Sequence, residues 1–91
     1  LYAPNSFTPD GNNLNDLWIP TFSSPGYVKR YNLDIYNRWG QRIFESTDIN
    51  QGWNGTFQGN IVQNGTYIWK INFRWYDQRT YQLTGHITLF K

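Results

Sequence analysis

Residues 66–90 carry the clearest pattern of apolar and polar positions in the chain. Large apolar residues recur at every second position, and mostly polar residues lie between them, which is the periodicity of a β-strand. The polar residues Asp77, Gln78 and Arg79 interrupt the pattern, and Gly85 marks a place where we expect a bulge or a close backbone approach. The segment is predicted to form two long strands joined by a tight turn. Its apolar positions are Tyr67, Trp69, Ile71, Phe73, Trp75, Tyr81, Leu83, Ile87 and Leu89.

A hairpin with one apolar face needs a second sheet to cover that face. Residues 31–45 are the candidate, because they read as a central strand, a turn and a returning strand. The turn is predicted at residues 37–40, where Gly40 can adopt a positive φ. We therefore expect this second hairpin to form the covering sheet.

The remaining segments are short. Residues 1–4 and 17–20 each read as a brief strand, residues 5–16 as a polar loop without regular structure, and residues 46–63 as a connection that contains Asn-Gly turn signals. No amphipathic helix of useful length is present. Five to seven short strands in about 90 residues predict an all-β protein, an immunoglobulin-like β-sandwich of about seven antiparallel strands. A small barrel is the structural alternative.

Length and composition fit one domain spanning residues 1–91. The five Trp, seven Tyr and six Phe can supply a dense core, since each buried aromatic side chain covers about 150–250 Å². The absence of Cys excludes disulfides and thiolate metal sites. No apolar run approaches the roughly 18 residues of a membrane helix, and the sequence does not open with a charged-then-apolar signal peptide. We expect Leu1 to be a cut inside a longer protein.

The net charge of +2 is unevenly distributed. Residues 1–28 contain Asp10 and Asp16 and no Lys or Arg, whereas the remainder contains all eight basic residues. These basic residues are scattered along the sequence, while nucleic-acid binding usually requires a clustered basic face. The charge pattern does not favour a nucleic-acid partner.

Oxygen-bearing side chains are concentrated in residues 10–16. Calcium binds about six to eight oxygen ligands, which closely spaced Asp and Asn side chains and backbone carbonyls can supply. Two carboxylates are few for a tight site, and an Asx-rich turn that satisfies its own backbone is the alternative. The segment is predicted to be either such a turn or a weak calcium site with the ligands Asp10, Asn12, Asn15 and Asp16.

Catalytic constellations are not apparent in the sequence. His86 is the sole histidine, and it lies on the polar side of its strand without a nucleophile or further metal ligands nearby in the pattern. Asp34 and Glu45 belong to the two strands of one hairpin, where a cross-strand contact with Arg38 or Arg42 is expected. Nothing in the sequence supports an enzyme.

Aromatic residues at turns raise a further alternative, because exposed Trp side chains on a β-sandwich can stack on sugar rings. Trp69 and Trp75 belong to the predicted core face. Trp39 and Trp53 lie at turns and are the candidates for exposure. A carbohydrate-binding module that uses these two side chains is the first alternative function, and a purely structural adhesin repeat is the second.

Five sequence blocks follow one another over nearly the whole chain. They are FTPDGNNLND at residues 7–16, IYNRWGQRIFES at 35–46, GWNGT at 52–56, NGTYIW at 64–69 and GHITLFK at 85–91. Together, in this order and at this spacing, they resemble the gliding motility-associated C-terminal domain, the type B sorting domain of the type IX secretion system in Bacteroidota. Five ordered blocks are far more specific than any single one.

The resemblance implies an immunoglobulin-like β-sandwich at the C-terminus of a large exported protein, often a cell-surface adhesin. In such proteins an N-terminal signal peptide directs export to the periplasm, and the C-terminal domain directs passage through the outer-membrane translocon with a PorP/SprF-type outer-membrane partner. The cargo would then be secreted or displayed on the cell surface, and Lys91 would be a natural end.

One departure from the family pattern concerns the loop. The family commonly has Asp-Gly where this chain has Asn12 and Asn13, so one expected carboxylate is an amide. This difference lowers the negative charge available to calcium.

The sequence therefore predicts a non-catalytic, monomeric sorting and docking module. The expected contact residues lie in the turn of the second hairpin, where the planar cations of Arg38 and Arg42 suit carboxylate partners. Trp39 and Gly40 complete this predicted contact surface, and the last strand offers an edge that another sheet could extend.

Overall fold

The computed structural model describes residues 1–9 and 17–90, and these residues form an all-β structure with one short 3₁₀ turn at Pro25–Tyr27. The strands within the described residues are β1 (Ser6–Phe7), β2 (Val28–Tyr36), β3 (Arg42–Ser46), β4 (Thr56–Phe57), β5 (Asn60–Ile61), β6 (Gly65–Trp75) and β7 (Thr80–Leu89).

Five strands form one mixed sheet in the order β1-β7-β6-β2-β3, and β4 and β5 form a separate two-stranded ribbon. The predicted all-β sandwich class is confirmed. Its pairs are antiparallel as expected except for β1, which pairs with β7 in parallel through Ser6 and Phe7. Ser6 and Phe7 were expected in an irregular loop, and that part of the prediction is wrong, because the buried Phe7 ring anchors this short segment to the sheet edge.

The long hairpin of β6 and β7 agrees with the sequence prediction. The two strands pair continuously from Gly65 opposite Leu89 to Arg74 opposite Thr80. In the turn, Gln78 has a φ of 74°, and the N–H of Trp75 donates to the carbonyl of Arg79 over 2.8 Å. Most of the apolar side of this hairpin faces the core, but Tyr81 and Leu83 at the start of β7 are each 39 % exposed.

The prediction that the second hairpin forms a covering sheet is wrong. β2 and β3 do form a hairpin, but β2 also pairs with β6 along its length, so that both hairpins belong to the same sheet. The alternation of side chains in β2 identified its two faces, but not its neighbour. The apolar face is instead covered by loop segments that carry Trp18, Phe22 and Trp53, together with Phe7 from β1.

Trp18 and Trp53 hold these covering segments together. Their backbones form an isolated antiparallel bridge with N–H to carbonyl distances of 2.7 and 2.8 Å. Both side chains are completely buried, and their indole N–H groups donate to the carbonyls of Pro4 and Thr56. The two predicted strands at residues 1–4 and 17–20 are thus reduced to single bridges at Tyr2 and Trp18.

Gly85 is the close approach that the sequence indicated, and the strand is regular there. It lies opposite Trp69 in the β6–β7 pair, and a Cβ atom at this position would be 2.5 Å from the Trp69 indole ring. The ring uses the vacant space to reach Trp18, with 6.2 Å between ring centroids. The absence of a side chain at residue 85 therefore allows contact between the sheet and its cover.

Tyr31 places a phenol in the core without a hydrogen-bond partner for its hydroxyl among the described residues. Its side chain is buried, and Phe22 contacts its ring edge-on. Burial raises the pKa of Tyr31 from 10.0 to about 12, and the negative charge of Asp48 acts in the same direction. Since the phenolate is disfavoured in the folded chain, stability is expected to depend on keeping this phenol protonated.

Gly85→Ala is expected to lower the free energy of unfolding by about 1–3 kcal/mol, because the new methyl group would displace the Trp69 ring. Gly26→Ala is the matched control, since a Cβ at Gly26 would meet nothing within 4 Å. Urea unfolding followed by tryptophan fluorescence measures both. Equal stabilities of the two variants would contradict the packing role of Gly85.

Tyr31→Phe is expected to reduce the loss of stability at alkaline pH. The unfolded phenol ionises near pH 10 and the folded one near 12, so the wild-type chain should lose stability as the pH rises across this interval. Urea unfolding at a series of pH values from neutral to 12 measures the difference. Tyr2→Phe, which changes an exposed tyrosine, is the control and should follow the wild type. If stability depended on pH in the same way in Tyr31→Phe and wild type, Tyr31 would not be the cause of the alkaline loss of stability.

Candidate functional site

The turn between β2 and β3 is held in shape by Asn37. Its Oδ1 accepts hydrogen bonds from the backbone N–H groups of Trp39 and Gln41 at 3.0 and 2.9 Å. The Asn37 N–H donates to the carbonyl of Gln41 at 3.0 Å, and Gly40 has a φ of 82°, which glycine adopts without steric cost. The predicted turn is confirmed, and its backbone is fixed by local hydrogen bonds.

Trp39 projects from this rigid turn. Its side chain is 71 % exposed, the highest value among the large apolar residues of the described chain. The Arg38 guanidinium lies 4.5 Å from the centroid of the Trp39 ring, which is cation–π geometry. Arg38 forms no ion pair with another described residue. The turn thus presents an aromatic surface beside a cation that no carboxylate of the described residues pairs with.

Arg42 has a different environment. Its Nη1 lies 3.5 Å from Asp34 Oδ1 and 3.6 Å from Glu45 Oε2. Asp34 is buried, and its other oxygen accepts a hydrogen bond from the Asn32 amide at 2.9 Å. The expected cross-strand contact is therefore made by Arg42, which helps to neutralise the buried Asp34.

An apolar groove of about 250 Å³ lies beside the turn. The β4–β5 ribbon forms one wall, and Ile61 on this ribbon is 53 % exposed. Tyr67 forms part of the lining, and its hydroxyl donates to the Gln63 carbonyl at 2.6 Å. Burial raises the pKa of Tyr67, and the positive charge of Arg38 partly opposes this effect. The groove and the Trp39 turn form one surface, lined by Asn37, Trp39, Ile43, Phe57, Asn60, Ile61, Val62, Gln63 and Tyr67.

The sequence analysis did not identify the ribbon wall of this groove. Gln58 and Gly59 have φ values of 54° and 86°, and this pair of positive φ angles is typical of a two-residue hairpin turn. Gly59 between short apolar segments was the available signal. It was difficult to recognise because each strand has only two residues.

Trp53 was a candidate for exposure, and this prediction is wrong. Its side chain is completely buried, with 5.8 Å between its ring centroid and that of Phe7 and 5.5 Å to that of Tyr67. The turn signal at residues 52–55 located a bend correctly, but it did not show that the ring folds inward. A sugar-stacking surface formed by Trp39 and Trp53 does not exist.

The remaining predicted site residues give no catalytic or metal centre within the described part of the chain. His86 is exposed on β7. Among residues 1–9 and 17–90, no three His, Cys, Asp or Glu side chains are grouped so that they could hold a metal ion. The predicted calcium ligands Asp10, Asn12, Asn15 and Asp16 lie outside the described residues.

Comparison with known proteins gives one family match. A family model described as the CHU_C type IX secretion signal domain matches residues 1–89. Comparison with curated proteins gives no significant match. Within the described ranges, no helix is long and apolar enough to cross a membrane.

Asn37→Ala is expected to lower the free energy of unfolding by about 1 kcal/mol, because two backbone N–H groups lose their acceptor and return to water. Amide hydrogen exchange should accelerate at Trp39 and Gln41 and remain unchanged at the β6–β7 turn. Asn50→Ala is the control, since its exposed side chain makes no hydrogen bond with another described residue. Unchanged exchange at Trp39 and Gln41 would mean that Asn37 does not fix the turn.

Proposed function

Since this chain belongs to the CHU_C type IX secretion signal domain family, we propose that it is a non-catalytic sorting signal that targets an exported protein to the type IX outer-membrane translocon. The exported protein that carries it interacts with the type IX secretion system. In this proposal the Trp39 turn and the adjoining groove are the surface that the secretion apparatus recognises.

The observation that carries the proposal is the exposure of Trp39 on a turn whose backbone is already ordered. A rigid Trp supplies a large contact area at a small cost in conformational entropy, and Trp and Arg are enriched among residues that dominate binding energy. Because Asn37 fixes the backbone before binding, little further ordering is required.

The chemistry of the surface indicates the partner. Arg38 offers guanidinium N–H donors to a carboxylate, while the groove beside it offers apolar contact to Phe57 and Ile61. We propose a PorP/SprF-type outer-membrane protein that presents an acidic residue next to an apolar side chain. Arg42 has the supporting role of fixing the base of the hairpin through Asp34 and Glu45.

This proposal also gives the route of the cargo. The domain would fold in the periplasm, dock on the translocon as a folded unit and accompany its cargo across the outer membrane to the cell surface or the medium. Recognition of a folded surface explains why the exposed groups are set on strands and hydrogen-bonded turns. A structural adhesin repeat, by comparison, would have no need of this specific surface.

Trp39→Ala and Arg38→Gln are each expected to reduce export, while leaving the fold intact, because both side chains are exposed. Residues 1–91 are fused behind a signal peptide and a fluorescent reporter in a type IX-competent cell that contains the cognate partner protein. The fraction of reporter outside the outer membrane is measured. We expect a reduction of about tenfold or more for Trp39→Ala, as for a residue that contributes over 1.4 kcal/mol to binding.

Two variants serve as matched controls. Tyr2→Ala removes an aromatic side chain that is 67 % exposed, and Arg79→Gln removes a cation from the turn of the other hairpin. Both should be exported like the wild type. Periplasmic retention of the folded wild-type fusion would overturn the sorting function. Wild-type export of both Trp39→Ala and Arg38→Gln would retain the sorting function but overturn the assignment of the surface.

A further inference from the structure

A second cavity of about 500 Å³ lies at the opposite end of β2, away from the Trp39 turn. Its chemistry is distinctive, because Lys29, Arg30 and Arg74 all line it and none of its lining residues among the described ones is acidic. The amide side chains of Asn32 and Asn72 and the hydroxyl of Thr80 add polar groups. Asp48 lines an adjoining cavity with Lys29 and Arg30, but it forms no ion pair with either.

The pairing of β2 with β6 brings two of these cations together. Arg30 lies directly opposite Arg74 in the antiparallel register, and two directly opposite residues share one face of the sheet. Like charges in such positions repel each other and destabilise the pair. Neither guanidinium forms an ion pair with another described residue, so the repulsion has no compensating carboxylate in that part of the chain.

Arg74 also contains a buried donor without an acceptor. Its Nε is buried and makes no hydrogen bond within the described chain. A buried guanidinium N–H without a partner is costly, and native proteins rarely retain such a group without a reason. Because Nε is covered from solvent, a ligand in the cavity would bind the terminal N–H groups of Arg74, and an anion there would reduce the repulsion between Arg30 and Arg74.

Strand geometry explains why the cavity is open. β3 pairs with β2 only from Leu33 to Tyr36, so the first part of β2 has no neighbour on that side. The register also shifts between Val28 and Arg30, which leaves Lys29 as an extra residue in the strand. Lys29 therefore lines the cavity as a third cation beside Arg30 and Arg74.

We propose that this cavity binds the phosphate group of a phosphate-bearing ligand between Arg30 and Arg74. The planar N–H fork of arginine matches the oxygens of a phosphate, and two such forks can bind one group from both sides. Lys29 adds charge at the same site. The group could belong to a small soluble phosphate or to a lipid headgroup, since both present the same oxygens.

The test compares the thermal stability of the 91-residue chain in sodium phosphate and in sodium chloride at equal ionic strength and pH. A ligand that binds only the folded chain raises the Tm, and we expect phosphate to raise it by about 4 °C or more at saturation. Arg30→Gln and Arg74→Gln should each abolish most of the phosphate-specific increase. In chloride, Arg30→Gln should be at least as stable as wild type, because it removes a repulsive charge.

Arg79→Gln is the matched control. Arg79 is at the same end of the sheet, but it pairs with Asp77 and does not line the cavity. This variant should keep the phosphate response. Two-dimensional NMR during phosphate titration provides a second readout, in which backbone amides of residues 29–32 and 72–74 should shift. These shifts can be followed in the wild type even if Arg74→Gln does not fold.

Vesicles distinguish the two sources of the phosphate group. Cosedimentation with phosphatidylcholine vesicles that contain phosphatidic acid, lost in Arg30→Gln and retained in Arg79→Gln, would assign the site to a lipid headgroup. A response to inorganic phosphate without cosedimentation would assign it to a soluble ligand. Phosphate also stabilises folded proteins without binding them. Equal stability in phosphate and chloride, or a phosphate-induced increase that Arg30→Gln retains in full, together with no localised amide shifts, would therefore overturn the proposal.

Discussion

The fold of the described residues depends on burying one apolar face of a five-stranded sheet, although their other sheet has only two strands. Tryptophan makes this possible, because its buried side chain covers up to about 250 Å². Trp18 and Trp53 form a backbone bridge, and their indole N–H groups donate to backbone carbonyls. Their own polar groups are therefore paired although both residues are buried. The Trp69 side chain packs over Gly85 and contacts Trp18. The loops are therefore positioned by the same contacts that close the core.

Local periodicity in the sequence was sufficient to predict β6, β7 and the turn between them, because the alternation is long and the turn residues are strongly polar. It was also sufficient to anticipate the close approach at Gly85. It was insufficient for the partner of β2, since a strand with one apolar face has the same pattern whether it joins the existing sheet or an opposing one. The inward rotation of Trp53 depends on tertiary contacts with Phe7 and Tyr67, which local sequence does not specify.

The candidate site shows the same division between local and tertiary information. The turn at residues 37–40 could be predicted because Asn and Gly determine its backbone locally. The different roles of Arg38 and Arg42 could not, because they depend on which carboxylates lie within reach. Arg42 reaches Asp34 across the hairpin, whereas Arg38 is directed onto the Trp39 ring. Arg42 thus pairs with a buried carboxylate inside the hairpin, whereas Arg38 belongs to the exposed surface of the turn.

The two ends of β2 differ in the arrangement of the arginines that form no ion pair with another described residue. At one end a cation accompanies an exposed aromatic ring, which suits a protein surface with mixed apolar and acidic character. At the other end two cations lie opposite each other around a polar cavity, which suits a compact oxyanion. The intervening strand is rigid and buried on one face, with Leu33 and Ile35 fully enclosed. In these two proposals, a ligand at the cationic cavity would change the charge at its own end of the strand while the hydrogen-bonded turn at the other end kept its shape, so the two proposed surfaces would act independently.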